Sequence, residues 1–342
     1  MKKNILITGG AGFIGTNFVR HLLARYPDYR IMVLDALTYA GSLVNFPPAI
    51  LDNPAFVFFH GDVRNAGLVL ELVSRVEWVI HFAAETHVAR SIYADLNFFE
   101  TDVLGTQSVA NAVLKNKDRI ERFIHISTSE VYGTALEKPM TEEHPLNPMS
   151  PYAAAKTGAD RLVYSYWRTY GIPAVILRPF NQYGPFQHLE KVIPRFITSA
   201  LLNEPLTIHG DGEARRDWLH VSDTCERIDL ALHAEGKRVT GEVFNLGSGV
   251  DLDILTIAKM VLQSVGRPES LITFMDERPG QVQHHISSTR KSEKIIGIKP
   301  GITFEEGLAQ TIRWYAENRQ WWERLLSMKK VAIMTTNGCY QF

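Results

Sequence analysis

Cysteine is nearly absent from this 342-residue chain, which holds only Cys225 and Cys339. Two thiols argue against a disulfide framework and against a structural zinc site, so no metal is expected to hold the fold. An excess of charge of either sign is also missing. The 36 Lys and Arg residues offset 37 Asp and Glu residues, leaving a formal net charge of -1. With no broad field, general attraction to nucleic acid or to an anionic membrane is excluded, and any anion must be held locally. No apolar run reaches the roughly 18 residues of a membrane span. Met1-Lys2-Lys3 leads into a strand pattern and a glycine turn rather than a signal peptide's apolar block, so the chain reads as cytoplasmic. Internal repeats and low-complexity linkers are absent too. What remains is an ordinary globular composition, 45% hydrophobic and 21% charged, in a length that suits a substantial core and two lobes.

Short apolar runs punctuate the first half. Asn4 to Thr8, Ile31 to Asp35, Phe56 to His60, Trp78 to Phe82, Phe123 to Ser127 and Ala174 to Leu177 have the look of strands buried on both faces. Helix-compatible stretches separate them. This alternation predicts an α/β fold, a Rossmann-type doubly wound parallel sheet with a smaller C-terminal substrate-binding lobe. From Arg178 onward proline and glycine break the rhythm. We therefore expect a dinucleotide-binding domain over 1–180, a second lobe over 181–328, and a segment near 240–250 that returns a strand to the sheet. Residues 329–342 lack helical patterning and are expected to be a mobile tail. Trp314, Trp321 and Trp322 read as packing rather than as a ligand box.

Gly9, Gly12 and Gly15, three apart, follow the first strand and open a helix that begins near Phe13 and Ile14. Glycines there allow a tight turn and close backbone approach to a pyrophosphate, whose charge meets the helix's free N–H groups. Asp35 ends the next strand, 20 residues after Gly15, where a carboxylate accepts from both ribose hydroxyls and repels a 2′-phosphate. The cofactor expected is NAD rather than NADP. Asp62-Val63 after the third strand and Ala83-Ala84 after the fourth fit the same crevice, Asp62 serving equally well as a turn former.

Thr128-Ser129-Glu130 and, further on, Tyr152-Ala-Ala-Ala-Lys156 carry the chemistry. Tyrosine and lysine four apart share a helix face, so the ammonium is expected to lower the phenol's pKa and make it a proton acceptor. Ser150 and Pro151 just before supply an N-cap and a first helical residue.

With those motifs the chain resembles the extended short-chain dehydrogenase/reductase superfamily and, within it, the nucleotide-sugar 4,6-dehydratases of the dTDP-glucose 4,6-dehydratase type. The likeness runs from about Lys2 to about Tyr315 and includes His81-Phe-Ala-Ala84, Ala84-Glu-Thr-His87, Arg178-Pro-Phe-Asn181, Lys191-Val-Ile-Pro194, Arg216-Asp217-Trp218 and Arg278-Pro-Gly280. It implies that Tyr152 is the base for the sugar 4-hydroxyl, that Lys156 holds the nicotinamide ribose, and that Thr128 hydrogen-bonds the same hydroxyl. Asn181, Lys191, Arg216, Asn245 and Arg278 are implied to grip the nucleotide diphosphate. His87 either lines the sugar pocket or is a structural residue.

Three residues depart from the thymidine enzymes' pattern. Ser129 stands where an aspartate is typical, so the acid for the departing C6 hydroxide is missing. Ala89 replaces an aspartate and Asp102 an asparagine. The reaction expected is oxidation at C4, loss of water across C5 and C6 with Glu130 as base, and return of hydride to C6. Decarboxylation of a UDP-uronic acid and 4-epimerisation remain alternatives on the same scaffold, with a silent NAD-binding scaffold as a third. A homodimer is expected through two helices per subunit, about Asp95 to Leu114 and Pro151 to Tyr170, with Leu162, Tyr166 and Tyr170 spaced for such packing.

Overall fold

The computed structural model describes residues 2–277, 282–299, 301–329, 332–335 and 338–341. Seven apolar runs pair in parallel into one sheet, in the order Val243–Leu246, Ala174–Pro179, Arg122–Ile126, Trp78–His81, Asn4–Thr8, Arg30–Asp35 and Phe56–His60. Thr8 lies level with Leu34 on one side and with His81 on the other. The chain thus leaves the central strand Asn4–Thr8 in one direction and later continues on its far side. That reversal opens a crevice at the carboxyl ends of the strands.

Helices cover both faces because their apolar stripes demand it. Phe13–Arg25 and Val221–His233 bury Phe18, Val19, Leu22, Ile228 and Leu232 on one face. Ala66–Val73, Thr106–Lys115 and Pro151–Tyr170 bury Val69, Leu72, Val109, Val113 and Val163 on the other. The return from the second lobe is longer than a strand near 240–250, since the helix Val221–His233 comes back with it. Asp229 fastens that helix by accepting from His21 Nε2 at 2.9 Å and from the Tyr26 hydroxyl at 3.0 Å.

A second core gathers Phe196, Ile197, Ile208, Trp218, Ile257, Val261, Leu308, Tyr315 and Trp322. Around it lie a three-stranded sheet of Asp251–Asp253, Arg215–His220 and Asn181–Tyr183 and a strand pair, Ile272–Met275 with Leu206–His209. Trp314 and Trp321 pack on Phe186, with ring centroids 4.7 and 5.8 Å away.

Two expectations change. The helix predicted over Asp95 to Leu114 is interrupted: Asp95–Phe98 passes into a π-helical stretch, Phe99–Gly105, before Thr106–Lys115. Gly105 there passes so near the Asp62-Val63 loop that a Cβ would meet Val63 Cγ2 at 2.7 Å. At the C-terminus, where a mobile tail was expected, the backbones of Ala332–Thr335 and Gly338–Gln341 pair as two antiparallel strands, the first beside the helix Val88–Tyr93. Two runs of four residues, Ala-Ile-Met-Thr and Gly-Cys-Tyr-Gln, show no alternation long enough to read as strands beforehand. Among the described residues no helix is long and apolar enough to cross a membrane.

Candidate active site

One crevice of about 630 Å³ runs from the glycine turn to the second lobe. Its cofactor end is built from backbone. Gly9 has φ +68°, and a Cβ on it would lie 2.5 Å from the Ala83 nitrogen, so only glycine lets the turn sit against the end of the Trp78–His81 strand. A Cβ on Gly15 would strike the Gly9 oxygen at 2.4 Å. Gly12 caps the helix without any side-chain acceptor, which leaves its first N–H groups to an anion. Phe13, Ile14, Asp62, Val63, Ala83 and Ala84 line the same wall. Asp35 is buried at the strand end, where Oδ2 accepts from Ala11 N at 2.9 Å and Oδ1 from Leu37 N at 2.8 Å. Burial raises its pKa while those two bonds oppose the rise. Each oxygen keeps a lone pair for a ribose hydroxyl. Asp62 also folds its own loop, accepting from Arg64 N at 2.8 Å and from the Arg64 guanidinium at 2.7 Å. The narrow glycine cradle and this carboxylate fit a dinucleotide without a 2′-phosphate.

The chemical end is held by one helix. Ser150 Oγ accepts from Ala153 N at 3.1 Å and Pro151 starts the helix, which sets Tyr152 and Lys156 on its inner face. Thr128 caps the turn Ser129–Tyr132, accepting from Glu130 N at 3.2 Å, and its hydroxyl also bonds Tyr152. Glu130 is half-buried in the crevice wall. Lys156 departs from expectation. Its ammonium donates to the Ile126 carbonyl at 2.7 Å, and it is not among the groups that set the Tyr152 pKa. The phenol is instead raised by burial, with the Asp102 and Glu130 charges adding to the rise and only the Thr128 bond opposing it. Spacing placed the ammonium on the right face but could not reveal that a carbonyl takes it. Asp102 is buried beyond them, one oxygen accepting from Glu85 N at 2.8 Å and the other enclosed without a hydrogen-bond partner. Burial raises Asp102 and lowers Lys156, while their opposite charges offset both shifts.

Below this pair a buried ion pair locks the helix to the sheet. Arg178 forks onto Asp160 at 2.9 and 3.0 Å, and Ser127 Oγ donates to Asp160 at 2.7 Å. The guanidinium and that hydroxyl hold the Asp160 carboxyl well below the usual range against its burial.

At the sugar and nucleotide end His87, Asn181, Lys191 and Arg216 all line the crevice. His87 Nδ1 caps the helix Val88–Tyr93 by accepting from Arg90 N at 3.3 Å, so it carries a structural duty while facing the cavity. Lys191 Nζ donates to the Thr86 carbonyl at 2.7 Å and Arg216 to the Arg215 carbonyl at 2.9 Å. Asn245 is a correction. It is fully buried outside the crevice lining, accepting from the Tyr132 hydroxyl at 2.7 Å and donating to the Met140 carbonyl at 3.0 Å. Its strand Val243–Leu246 is the edge strand of the sheet, and those two bonds hold the amide away from the crevice. Arg278 lies outside the described residues. Sequence reasoning missed a network over the crevice: Glu190 accepts from the Tyr39 hydroxyl at 2.9 Å and from Arg90 Nε at 2.9 Å, and the Arg90 guanidinium sits 4.1 Å from the Tyr39 ring centroid. It also missed His285, buried beside Ser129. No spacing links residues so far apart.

Comparison with known proteins follows the same lines. The sequence profile of GDP-mannose 4,6 dehydratase matches residues 6–311. A dTDP-glucose 4,6-dehydratase of Streptomyces niveus is 42% identical over 327 residues, 94% of this chain and 96% of that protein. The crystal structure of the Streptomyces venezuelae dTDP-glucose 4,6-dehydratase DesIV, solved with NAD bound, superposes with a TM-score of 0.89 at 42% identity, covering 94% of this chain and 99% of that one. A UDP-glucose 4-epimerase from Thermotoga maritima superposes at 0.85 with 29% identity, covering 92% and 99%. Matched over most of its length in sequence and in fold, this chain belongs to the GDP-mannose 4,6-dehydratase family.

Proposed function

We propose that the chain is an NAD-dependent nucleotide-sugar 4,6-dehydratase, a hydro-lyase that converts an NDP-hexose into the NDP-4-keto-6-deoxy sugar. One observation carries this reading: Thr128, Glu130, Tyr152 and Lys156 wall the same crevice as the glycine turn and Asp35. Relatives named as dTDP-glucose 4,6-dehydratases, one solved with NAD, support it.

Gly9, Gly12, Gly15, Asp35, Val63, Ala83, Ala84 and Lys156 would hold the dinucleotide. Bound there, NAD supplies a hydride acceptor at sugar C4 and a hydride donor at C6. Tyr152 takes the O4 proton while Thr128, already bonded to the phenol, steadies the same oxygen. Lys156 and Asp102 lie buried behind Tyr152, where their opposite charges offset each other's burial. Oxidation at C4 acidifies C5–H, and Glu130, two residues from Thr128 on the same turn, removes that proton. Because Ser129 is no acid, Glu130 also returns a proton to the C6 oxygen as it departs as water, and hydride return to C6 is balanced by a proton delivered to C5, which offsets the one Tyr152 took from O4.

Glu130→Gln is the test. Supplied with dTDP-, UDP-, GDP- and CDP-hexoses in turn, the variant should oxidise C4, stall, and build up the absorbance of bound reduced cofactor without a 4-keto-6-deoxy product. Formation of that product at the unmodified rate would remove Glu130 from the mechanism, whereas a 4-epimer from the unmodified protein in place of any 6-deoxy product would replace dehydration with 4-epimerisation, in which Glu130 has no task. We also propose a cytoplasmic homodimer. Leu96, Phe99 and Leu104 stand 65%, 41% and 60% exposed along the interrupted helix, and Tyr170 is 47% exposed at the end of Pro151–Tyr170. An apolar face of that extent fits a partner of the same kind, and a monomeric mass by light scattering would refute it.

A further inference from the structure

Ser129 and His285 meet across 156 residues of sequence, Oγ to Nδ1 at 3.5 Å. His285 is fully buried, and its Nε2 lies 2.6 Å from the Gly133 carbonyl. A carbonyl only accepts, so Nε2 carries the hydrogen and Nδ1 of the neutral ring is left as an acceptor. Burial favours that neutral ring; the charges that reach it are Glu130 and Asp217, which favour protonation, and Arg216, which opposes it. The ring is also fixed edge-on to Phe180, with centroids 5.8 Å apart. Against that acceptor Ser129 donates its hydrogen to Nδ1, and Ser129, only 2% exposed, lines the crevice beside Glu130. The 3.5 Å separation is at the long end of a hydrogen bond, as sites without substrate often show.

We infer that the Ser129–His285 pair makes this wall acceptor-only and thereby selects a sugar with a hydroxyl at C6 over one with a carboxylate. A C6 hydroxyl donates to Ser129 Oγ, which turns its own lone pairs toward the proton that Glu130 returns. A C6 carboxylate has no hydrogen to give and meets oxygen with oxygen. Ser129 is the specificity-determining residue, and His285 is a positioning residue that acts through it. The inference rests on the dehydratase reading and adds to it the chemistry at C6.

Affinities are measured by calorimetry on NAD-loaded protein for glucose and glucuronate carried on the same nucleotide, UDP and dTDP in parallel. The unmodified protein should prefer the hexose by about 10- to 100-fold, the range for one unpaired buried polar group. Ser129→Ala should narrow that ratio about tenfold. His285→Phe, which keeps a ring but removes the acceptor, should narrow it equally, whereas His285→Asn, which keeps an acceptor near the Nδ1 position, should preserve it. Repulsion of the uronate by Glu130 is present in all of these proteins, so it cancels from the comparison. Should His285→Phe fail to retain NAD, the Ser129→Ala ratio decides alone. A ratio that Ser129→Ala leaves unmoved overturns the inference even if the hexose is dehydrated. Failure of every hexose to react in the unmodified protein overturns the dehydratase reading instead.

Discussion

The two ends of the crevice are built on opposite principles. At the cofactor end the backbone does the shaping: glycines clear space, a helix offers unbonded N–H groups, and one carboxylate closes the site, all within the first 35 residues and the loops of adjoining strands. At the sugar end side chains from distant segments meet. Thr128 and Glu130 come from one turn, Tyr152 and Lys156 from a helix, and Lys191, Arg216 and His285 from separate segments after residue 180. A backbone site tolerates little but is indifferent to what the rest of the chain does. A convergent site can change its chemistry by one residue, as Ser129 illustrates.

The strongest way to separate the two ends is Tyr152→Phe. Loss of the proton acceptor should cut turnover by about 10²- to 10⁴-fold, while NAD content stays near that of the unmodified protein because the cradle is elsewhere. Turnover within a few fold of normal would dismantle the proposed chemistry.

The chemical end stands on the buried pair Asp160 and Arg178, which holds its helix to the sheet, so the next perturbation addresses that support. Asp160→Ala strands a guanidinium that is 2% exposed and should cost about 3–5 kcal/mol in chemical denaturation. Replacing both partners with apolar residues should recover most of that loss. The sign with pH follows from the depressed Asp160 pKa. Its contribution is present above the unfolded aspartate value of about 3.9 and disappears as acid drives the pH below it. An Asp160→Ala protein whose stability falls as steeply below that value as the unmodified protein's would show that other carboxylates govern the acid limb.

How much of this was readable from residues alone divides along the same line. The seven strands, the helix Phe13–Arg25, the helix Pro151–Tyr170 and the cofactor cradle follow from local rules: apolar runs, glycine spacing, a Ser-Pro start. Those rules act over a few residues, so the sequence displays them directly. Asn245 failed because its role depends on which way a strand-edge amide turns, and that is set by Tyr132 and Met140 more than a hundred residues away. Lys156 sits on the predicted face, but the Ile126 carbonyl to which its ammonium donates belongs to another element, which the four-residue spacing does not show. His285 and the Glu190 network left no periodic or spaced trace at all. Long-range hydrogen bonding decides the sugar end, and no window of sequence contains it.

A sharper probe of the cofactor end is Gly9→Ala. The added Cβ would lie 2.5 to 2.8 Å from three backbone atoms of Phe82 and Ala83, in a backbone conformation that L residues rarely adopt. Neither neighbour can swing away, so the turn and the adjoining strand end must part, at about 1–3 kcal/mol for the strained backbone alone. We expect lower stability and a loss of NAD affinity together. Retained NAD affinity with lowered stability would mean that the turn matters to the fold and not to the pyrophosphate.

The smallest effect isolates a single charge. Asp35→Asn keeps one acceptor oxygen but removes the charge that strengthens bonds to ribose hydroxyls, so NAD affinity should fall about tenfold, the difference between a charge-assisted and a neutral hydrogen bond. NADP should lose less, because the repulsion of its 2′-phosphate goes with the carboxylate, and the preference for NAD should shrink. Burial raises the Asp35 pKa, so the unmodified protein should begin to release NAD on acidification at a higher pH than an ordinary aspartate near 3.9 would dictate. The asparagine variant, with nothing to titrate there, should lose that limb. If both proteins showed the same acid limb, the titrating group would lie at the sugar end, and the independence of the two ends argued above would fail with it.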